Sequence, residues 1–249
     1  MSKARFLWRA GLIVLGLFVC VPLHYGSRLL GGSRWPRRFL RWAAYASGMR
    51  VRSEGEPLHR HVLFLANHLS WLDILVLAGA SGTAFVSKDD VARWPVVGWL
   101  ARLNNTVFIA RSSRAAVRHQ ADALREALAR GQPVALFPEG TTEGGMDILP
   151  FRGSLLAALF PPLPGVQVQA VALDYGDAGH DIAWIGEESA PDNARRILSR
   201  KGSVPVTVRF LARIDPGAAG DRKVLAERAR VEIVEALGGA PSGAAADRL

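Results

Sequence analysis

The chain has 249 residues, 49% of them apolar, a formal net charge of +9 and one cysteine. That apolar share excludes a disordered chain and suffices for one sizeable domain plus an appendage, and the lone Cys20 excludes an intramolecular disulfide and a cysteine-built metal cage. The charge is lopsided, since residues 1–52 carry ten basic side chains and no acidic one while the rest hold 21 basic and 22 acidic groups; a basic excess confined to an apolar end argues for a membrane surface and against nucleic acid.

Ala10–Leu23 is an unbroken apolar run of fourteen residues. As a helix it reaches ~21 Å, short of the ~30 Å hydrocarbon core. It therefore reads as a marginal span or as a helix sunk into one leaflet. Met1 to Arg5 has the basic character of a signal-peptide start, but no small-x-small cleavage site follows. Trp35–Ser47 mixes Arg37, Arg38 and Arg41 with Trp35, Phe39, Leu40, Trp42 and Tyr45. This is the composition of an interfacial helix on anionic lipid, favoured here over a basic helix packed on the protein's own core. At about 1 kcal/mol per basic residue, such a cluster can anchor a domain without spanning. The positive flank places the domain on the cytoplasmic face of the cell inner membrane. Residues 1–52 are thus read as a basic, membrane-associated helical region.

From residue 53 to 237, β-rich runs alternate with helical patterns. Strands are expected at Val62–Ala66, Thr83–Ser87, Thr106–Ala110, Val134–Phe137, Val168–Leu173, Ile182–Ile185 and Val204–Leu211. One helix follows Ser113 as N-cap, aligns Val117, Ala121, Leu124 and Leu128, and stops at Gly131. Another, from about Asp221 to Leu237, turns Leu225, Ala229, Ile233 and Leu237 inward, with Val224, Val231 and Val234 on its other side. The alternation predicts an α/β domain with a mixed, partly parallel sheet flanked by helices. Pro161–Gly165 is a rigid break within that domain. Residues 238–249, rich in glycine and alanine, read as a disordered tail.

Two polar segments stand directly after apolar strand runs. Asn67-His68-Leu69-Ser70-Trp71-Leu72-Asp73 follows the first, and Phe137-Pro138-Glu139-Gly140-Thr141-Thr142 follows the second. Ligands of open α/β sheets bind beyond the carboxyl ends of strands. An imidazole is the side chain best suited to take a proton from an alcohol near neutral pH. Asp73 is placed to hold the ring nitrogen that faces away from substrate, fixing the tautomer. Five residues exceed the spacing of one helix face, so His68 belongs to the strand exit and Asp73 to the next helix, with Ser70 as its N-cap. The plainer reading is a capping box, in which Asp73 only satisfies backbone donors. Gly140 lets the backbone approach a ligand closely, and arginine's planar fork suits phosphate. His59 and His61, with Glu54 or Glu56, match no metal-binding spacing, and no metal is expected.

His68-x4-Asp73, then Phe108-Ile109-Ala110-Arg111, then Phe137-Pro138-Glu139-Gly140-Thr141 resemble, in order and spacing, the motifs of the glycerolipid acyltransferases. That family includes the 1-acylglycerol-3-phosphate acyltransferases and relatives acting on other lysolipids. The resemblance covers residues 60 to 175 and includes Lys88, Trp94-Pro95, Gly98 and Leu149–Ser154. The family's fourth motif carries a proline in an apolar strand, where Val168–Leu173 here has alanine.

The resemblance implies a glycerol-3-phosphate acyltransferase-like fold with His68 as general base and Asp73 as its orienter. It implies that Lys88, Arg111 and the Glu139-Gly140-Thr141 loop bind the acceptor, with Glu139 on hydroxyls because it repels phosphate. The implied reaction moves a fatty acyl group from acyl-CoA or acyl carrier protein to a lysolipid hydroxyl, without a cofactor and in contact with membrane phospholipid. 1-Acylglycerol-3-phosphate is the acceptor the family suggests first; lyso-ornithine lipid and other lysophospholipids are the alternatives. Two rival readings are a lipid esterase and a non-catalytic membrane-binding protein. The first lacks a Gly-x-Ser-x-Gly elbow, and the second predicts that His68 is dispensable.

Overall fold

The computed structural model describes residues 2–109 and 114–238, leaving aside the side chains of Lys88 and residues 114–120. In chain order the elements are α1 (Lys3–Arg28), α2 (Trp35–Ala46), β1 (Met49–Glu54), β2 (Val62–Ala66), α3 (Leu72–Ser81) and β3 (Ala84–Lys88). Next come α4 (Asp89–Ala92), α5 (Val97–Leu103), β4 (Val107–Ile109), α6 (Arg114–Ala129) and β5 (Val134–Leu136). The last are β6 (Gln167–Asp174), α7 (Gly179–Ile182), α8 (Ala190–Ser199), β7 (Val204–Ile214), α9 (Pro216–Ala219) and α10 (Arg222–Ala236).

The seven strands form one sheet in the order β1-β7-β6-β2-β5-β3-β4. All neighbours run parallel except β6 and β7. β2 lies near the middle and is buried throughout, which explains its unbroken Val-Leu-Phe-Leu-Ala sequence. Val62, Phe64 and Ala66 face one core, shared with α3 residues Leu72, Val76 and Leu77. Leu63 and Leu65 face the other, shared with Leu124 and Leu128 of α6 and Leu225 and Ile233 of α10. The mixed, mostly parallel sheet flanked by helices is the architecture expected.

Several boundaries differ from expectation. Met49–Glu54, whose first four residues were expected in the appendage, is an edge strand paired in register with Val204–Arg209. The division expected at residue 52 therefore falls inside β1. Met49 alone is buried along it, so the strand offers no apolar run to detect. Ile182–Ile185 is not a strand. Ile182 ends the short helix α7, and the Trp184 N–H donates to the Leu69 carbonyl (2.8 Å) instead of to a sheet neighbour. β6 and β7 already pair directly, leaving no place for a strand between them. On α10, Val234 is buried but Val224 is exposed, so only part of the second apolar side is covered. Ser113 and residues 239–249, including nearly all of the expected tail, lie outside the described residues.

α1 has 26 residues, about 39 Å of helix, longer than its apolar run suggests. It is long and apolar enough to cross a membrane. One side packs on α2. A Cβ at Gly16 would lie 2.3 Å from the Trp42 indole, and Trp42 Nε1 donates to the Leu12 carbonyl (2.8 Å). Near its start, Arg5 and Arg9 donate to the carbonyls of Ser199, Ile197 and Gly202 around the C-terminus of α8, where cations are favoured. The opposite side exposes Leu7, Trp8, Val14, Leu15, Phe18, Val19 and Leu23.

α2, expected at a lipid interface rather than on the core, is packed on the core. It buries Phe39, Ala43, Ala44 and Ala46 and lies so close to α3 that a Cβ at Gly79 would meet Arg41 Cα at 2.9 Å. Arg37 donates to the carbonyls of Gly79 and Ala80, covering the C-terminal end of α3. The alanines allow the close approach, while Arg34, Arg37, Arg38 and Arg41 remain exposed.

Candidate active site

β2 and β5 are parallel neighbours, so their carboxyl ends bring together segments 71 residues apart in sequence, where the His68 N–H donates to Glu139 Oε1 at 2.8 Å. β6, the parallel neighbour on the other side of β2, delivers Tyr175 to the same edge. Asn67 fixes this end of the β2–β6 pair by exchanging two hydrogen bonds with the Leu173 backbone (3.1 and 2.8 Å).

His68 Nδ1 lies 2.8 Å from Asp73 Oδ2. The same oxygen accepts the N–H groups of Leu69 (2.6 Å) and Ser70 (2.8 Å). The catalytic geometry and the capping-box reading are therefore two functions of one carboxylate. The helix cap falls at Trp71, one residue beyond the expected Ser70, whose hydroxyl accepts the Leu72 N–H (3.1 Å). Asp73 is fully buried, and its other oxygen accepts the Tyr175 hydroxyl at 2.5 Å. Burial, and then the neighbouring carboxylate, raise the Tyr175 phenol well above its ordinary pKa, keeping it a donor. Asp73 thus accepts four hydrogen bonds, as a buried charge requires. The imidazole stacks flat on the Phe137 ring (centroids 4.0 Å apart, 9° between planes). With Nδ1 engaged and one face covered, Nε2 is the nitrogen left for a ligand. The arrangement can accept a proton at Nε2 while Asp73 stabilises the imidazolium.

Glu139 is buried. Its Oε1 accepts from His68 N–H and its Oε2 from Leu149 N–H (3.0 Å). From this position the carboxylate meets two backbone donors and ties the histidine loop to the loop before Pro150. Burial pushes its pKa up to about 7, against the opposing pull of the two N–H groups. Gly140 has φ +72 and closes a tight turn through its N–H to the Phe137 carbonyl (3.1 Å), a conformation suited to glycine. The Thr141 hydroxyl accepts the Glu143 N–H (3.2 Å). Lys88 ends β3, beside β5; its side chain, and the whole of Arg111, lie outside what is described. His61 Nδ1 donates to the Leu128 carbonyl (3.0 Å), and among the described residues no three His, Cys, Asp or Glu side chains group as metal ligands do.

Two features escaped the sequence reading. Tyr175 is one; an aromatic residue just past an apolar strand was its available signal, and β6 delivers it despite lacking the motif's proline. The other is an apolar cavity of about 440 Å³ between α1 and α2 on one side and α4 and α5 on the other. Phe85 and Trp71 line it, and Phe85 stacks on Phe137 (5.7 Å), which stacks on His68. The cavity therefore reaches the neighbours of the histidine. Its walls come from seven elements, so no local pattern announces it.

The acyltransferase family model matches residues 50–173. The lyso-ornithine lipid O-acyltransferase of Rhizobium meliloti is 36% identical over 85% of this chain and 79% of its own length. That of Pseudomonas aeruginosa is 35% identical over 96% of both. The 1-acyl-sn-glycerol-3-phosphate acyltransferase of Neisseria meningitidis is 35% identical over 75% of this chain and 73% of its own. The crystal structure of the 1-acyl-sn-glycerophosphate acyltransferase from Thermotoga maritima superposes with a TM-score of 0.61 at 22% identity, covering 94% of this chain and 96% of that one. At that identity the likeness shows the fold.

Proposed function

This chain belongs to the acyltransferase family, and we propose that it transfers a fatty acyl group from acyl-CoA or acyl carrier protein to the free hydroxyl of a lysolipid, at the cytoplasmic face of the inner membrane. The observation that carries the reading is the His68–Asp73 pair (2.8 Å), joined through the stacked rings of Phe137 and Phe85 to the wall of an apolar cavity. His68 Nε2 takes the hydroxyl proton as the lysolipid oxygen attacks the thioester carbonyl. The tetrahedral intermediate expels the donor's thiolate, which recovers the proton from the imidazolium and leaves as a thiol. The cycle needs no cofactor and no acyl-enzyme. Asp73 orients the ring, and Glu139 braces the loop that carries it. Lys88, Arg111, Gly140 and Thr141 are assigned to the acceptor's polar end. The apolar cavity suits a fatty acyl chain. The exposed apolar side of α1, with the arginines of α2, suits attachment to anionic lipid.

Lyso-ornithine lipid is the favoured acceptor, because relatives so named match across 85% and 96% of the chain. 1-Acylglycerol-3-phosphate is the second reading, favoured by the Neisseria relative at 35% identity over 75% of the chain. The test is transfer from labelled acyl-CoA, then from acyl carrier protein, to a panel of lysolipids by purified protein and its His68→Ala variant. Transfer to lyso-ornithine lipid, lost in the variant, is expected. Transfer only to another lysolipid replaces the acceptor, and activity that survives in the variant removes His68 as base.

A further inference from the structure

The segment joining α4 to α5 is unusual for a protein surface. Within six residues it exposes Trp94, Val96, Val97 and Trp99. Single exposed apolar residues are ordinary, but a cluster marks an interaction surface. Val96 adds a second observation, with φ +62 and ψ −57. A β-branched residue rarely occupies positive φ, and such strain is found where surroundings or function impose it. Glycine or asparagine would relax the turn, yet the position carries an apolar side chain 55% exposed. Third, Trp94 and Val97 are shared, because they are half exposed and also line the apolar cavity. On this side the cavity wall is the molecular surface.

The facing wall comes from α1 and α2 through Ile13, Cys20 and Phe39, and α1 presents its own apolar stripe outward. Two apolar surfaces therefore flank one apolar cavity. We propose that the Trp94–Trp99 segment is a second membrane-inserting element, which lets lipid chains pass between the bilayer and the cavity without crossing water. The occupant is a phospholipid leaflet. Tryptophan prefers the headgroup boundary; exposed Arg34 and Arg38 flank cavity-lining Trp35, and exposed Arg93, paired with Asp90, directly precedes Trp94, basic groups of the kind that anionic headgroups attract. The inference rests on the membrane attachment proposed above.

The test uses full-length protein in a Cys20→Ala background. Val96→Cys or Val224→Cys is labelled with an environment-sensitive fluorophore. The two valines are equally exposed (55% and 52%), but Val224 lies on α10, against the opposite face of the sheet. Each protein is floated with phosphatidylcholine–phosphatidylglycerol vesicles and quenched by lipids spin-labelled near the headgroup. The expected result is blue-shifted, several-fold more strongly quenched emission at position 96, with water-like emission at 224. Water-like emission at both positions in protein that floats overturns the inserting segment alone; protein that does not float overturns the attachment reading as well. Val96→Asp, which removes no cavity-lining side chain, is expected to slow transfer to vesicle-borne lysolipid several-fold while leaving transfer in detergent micelles unchanged. Equal slowing in both media counts against insertion.

Discussion

The carboxyl edge of β2 and the outer side of α1 use opposite physics within one molecule. At the edge, Asp73 is fully buried and accepts hydrogen bonds from His68, Leu69, Ser70 and Tyr175. Each is directional, and together they hold one ring in one orientation. On α1, large side chains such as Phe18, 75% exposed, make no directional contact. Apolar burial against lipid has no preferred register, so this region can tolerate sliding that the edge cannot. On the function proposed above, reactivity is built where geometry is over-determined, and lipid attachment where it is not.

The comparison breaks most completely at His68. His68→Ala removes the proposed general base and is expected to lower kcat by about 10²- to 10⁴-fold, with unchanged attachment to vesicles; steady-state assay and flotation together check this. Deleting residues 2–33 instead removes the exposed apolar side of α1, together with one wall of the cavity. The cut must precede Trp35, because α2 and β1 belong to the core and the sheet; a cut at residue 52 would remove an edge strand. The shortened protein should pellet with anionic vesicles at low salt and be released at high salt, since screening weakens what the arginines of α2 retain.

A finer test is Tyr175→Phe. It leaves Asp73 Oδ1 buried without its donor, and a hydrogen bond to a charged group is worth about 1.5–3 kcal/mol. Activity should fall roughly ten- to a hundredfold, in kcat more than in KM. A purely structural role would instead lower the melting temperature without separating kcat from KM.

The last test concerns Glu139 and is read in stability rather than in rate. Its folded pKa of about 7 stands above the ordinary 4.5, so the folded protein binds more protons than the unfolded chain between those values. The stability this group contributes is fully present below about pH 4.5 and is lost as pH rises through 7, about 3 kcal/mol across the window. Glu139→Gln should abolish that slope. Comparing melting temperatures of variant and wild type at pH 5 and pH 8 checks it, with the variant gaining relative to wild type at the higher pH.

Much of this was legible along the chain, and the gaps have physical causes. β2 was readable because a strand covered on both faces is apolar at every position. β1 was not, since an edge strand with one buried side chain carries no such run. The His68–Asp73 pair could be read from a five-residue interval that fits a strand exit and a helix start. Tyr175 could not, because it meets Asp73 only through the parallel pairing of β2 with β6, 102 residues apart at the hydrogen bond. Glu139 was recognised as part of the site, but its inward-facing role was hidden until its two backbone partners were placed.

By itself the sequence determined the class of fold, the two loops that meet at the sheet edge, and the basic, apolar character of the first 52 residues. All of these follow from local composition and short-range periodicity, which the chain carries with it wherever it goes. Only the tertiary structure decided which oxygen of Asp73 holds the ring, that α2 packs on the core while its arginines face outward, and that seven separate elements line an apolar cavity. Those outcomes depend on strand order and on the close approach of helices, which no window along the chain contains.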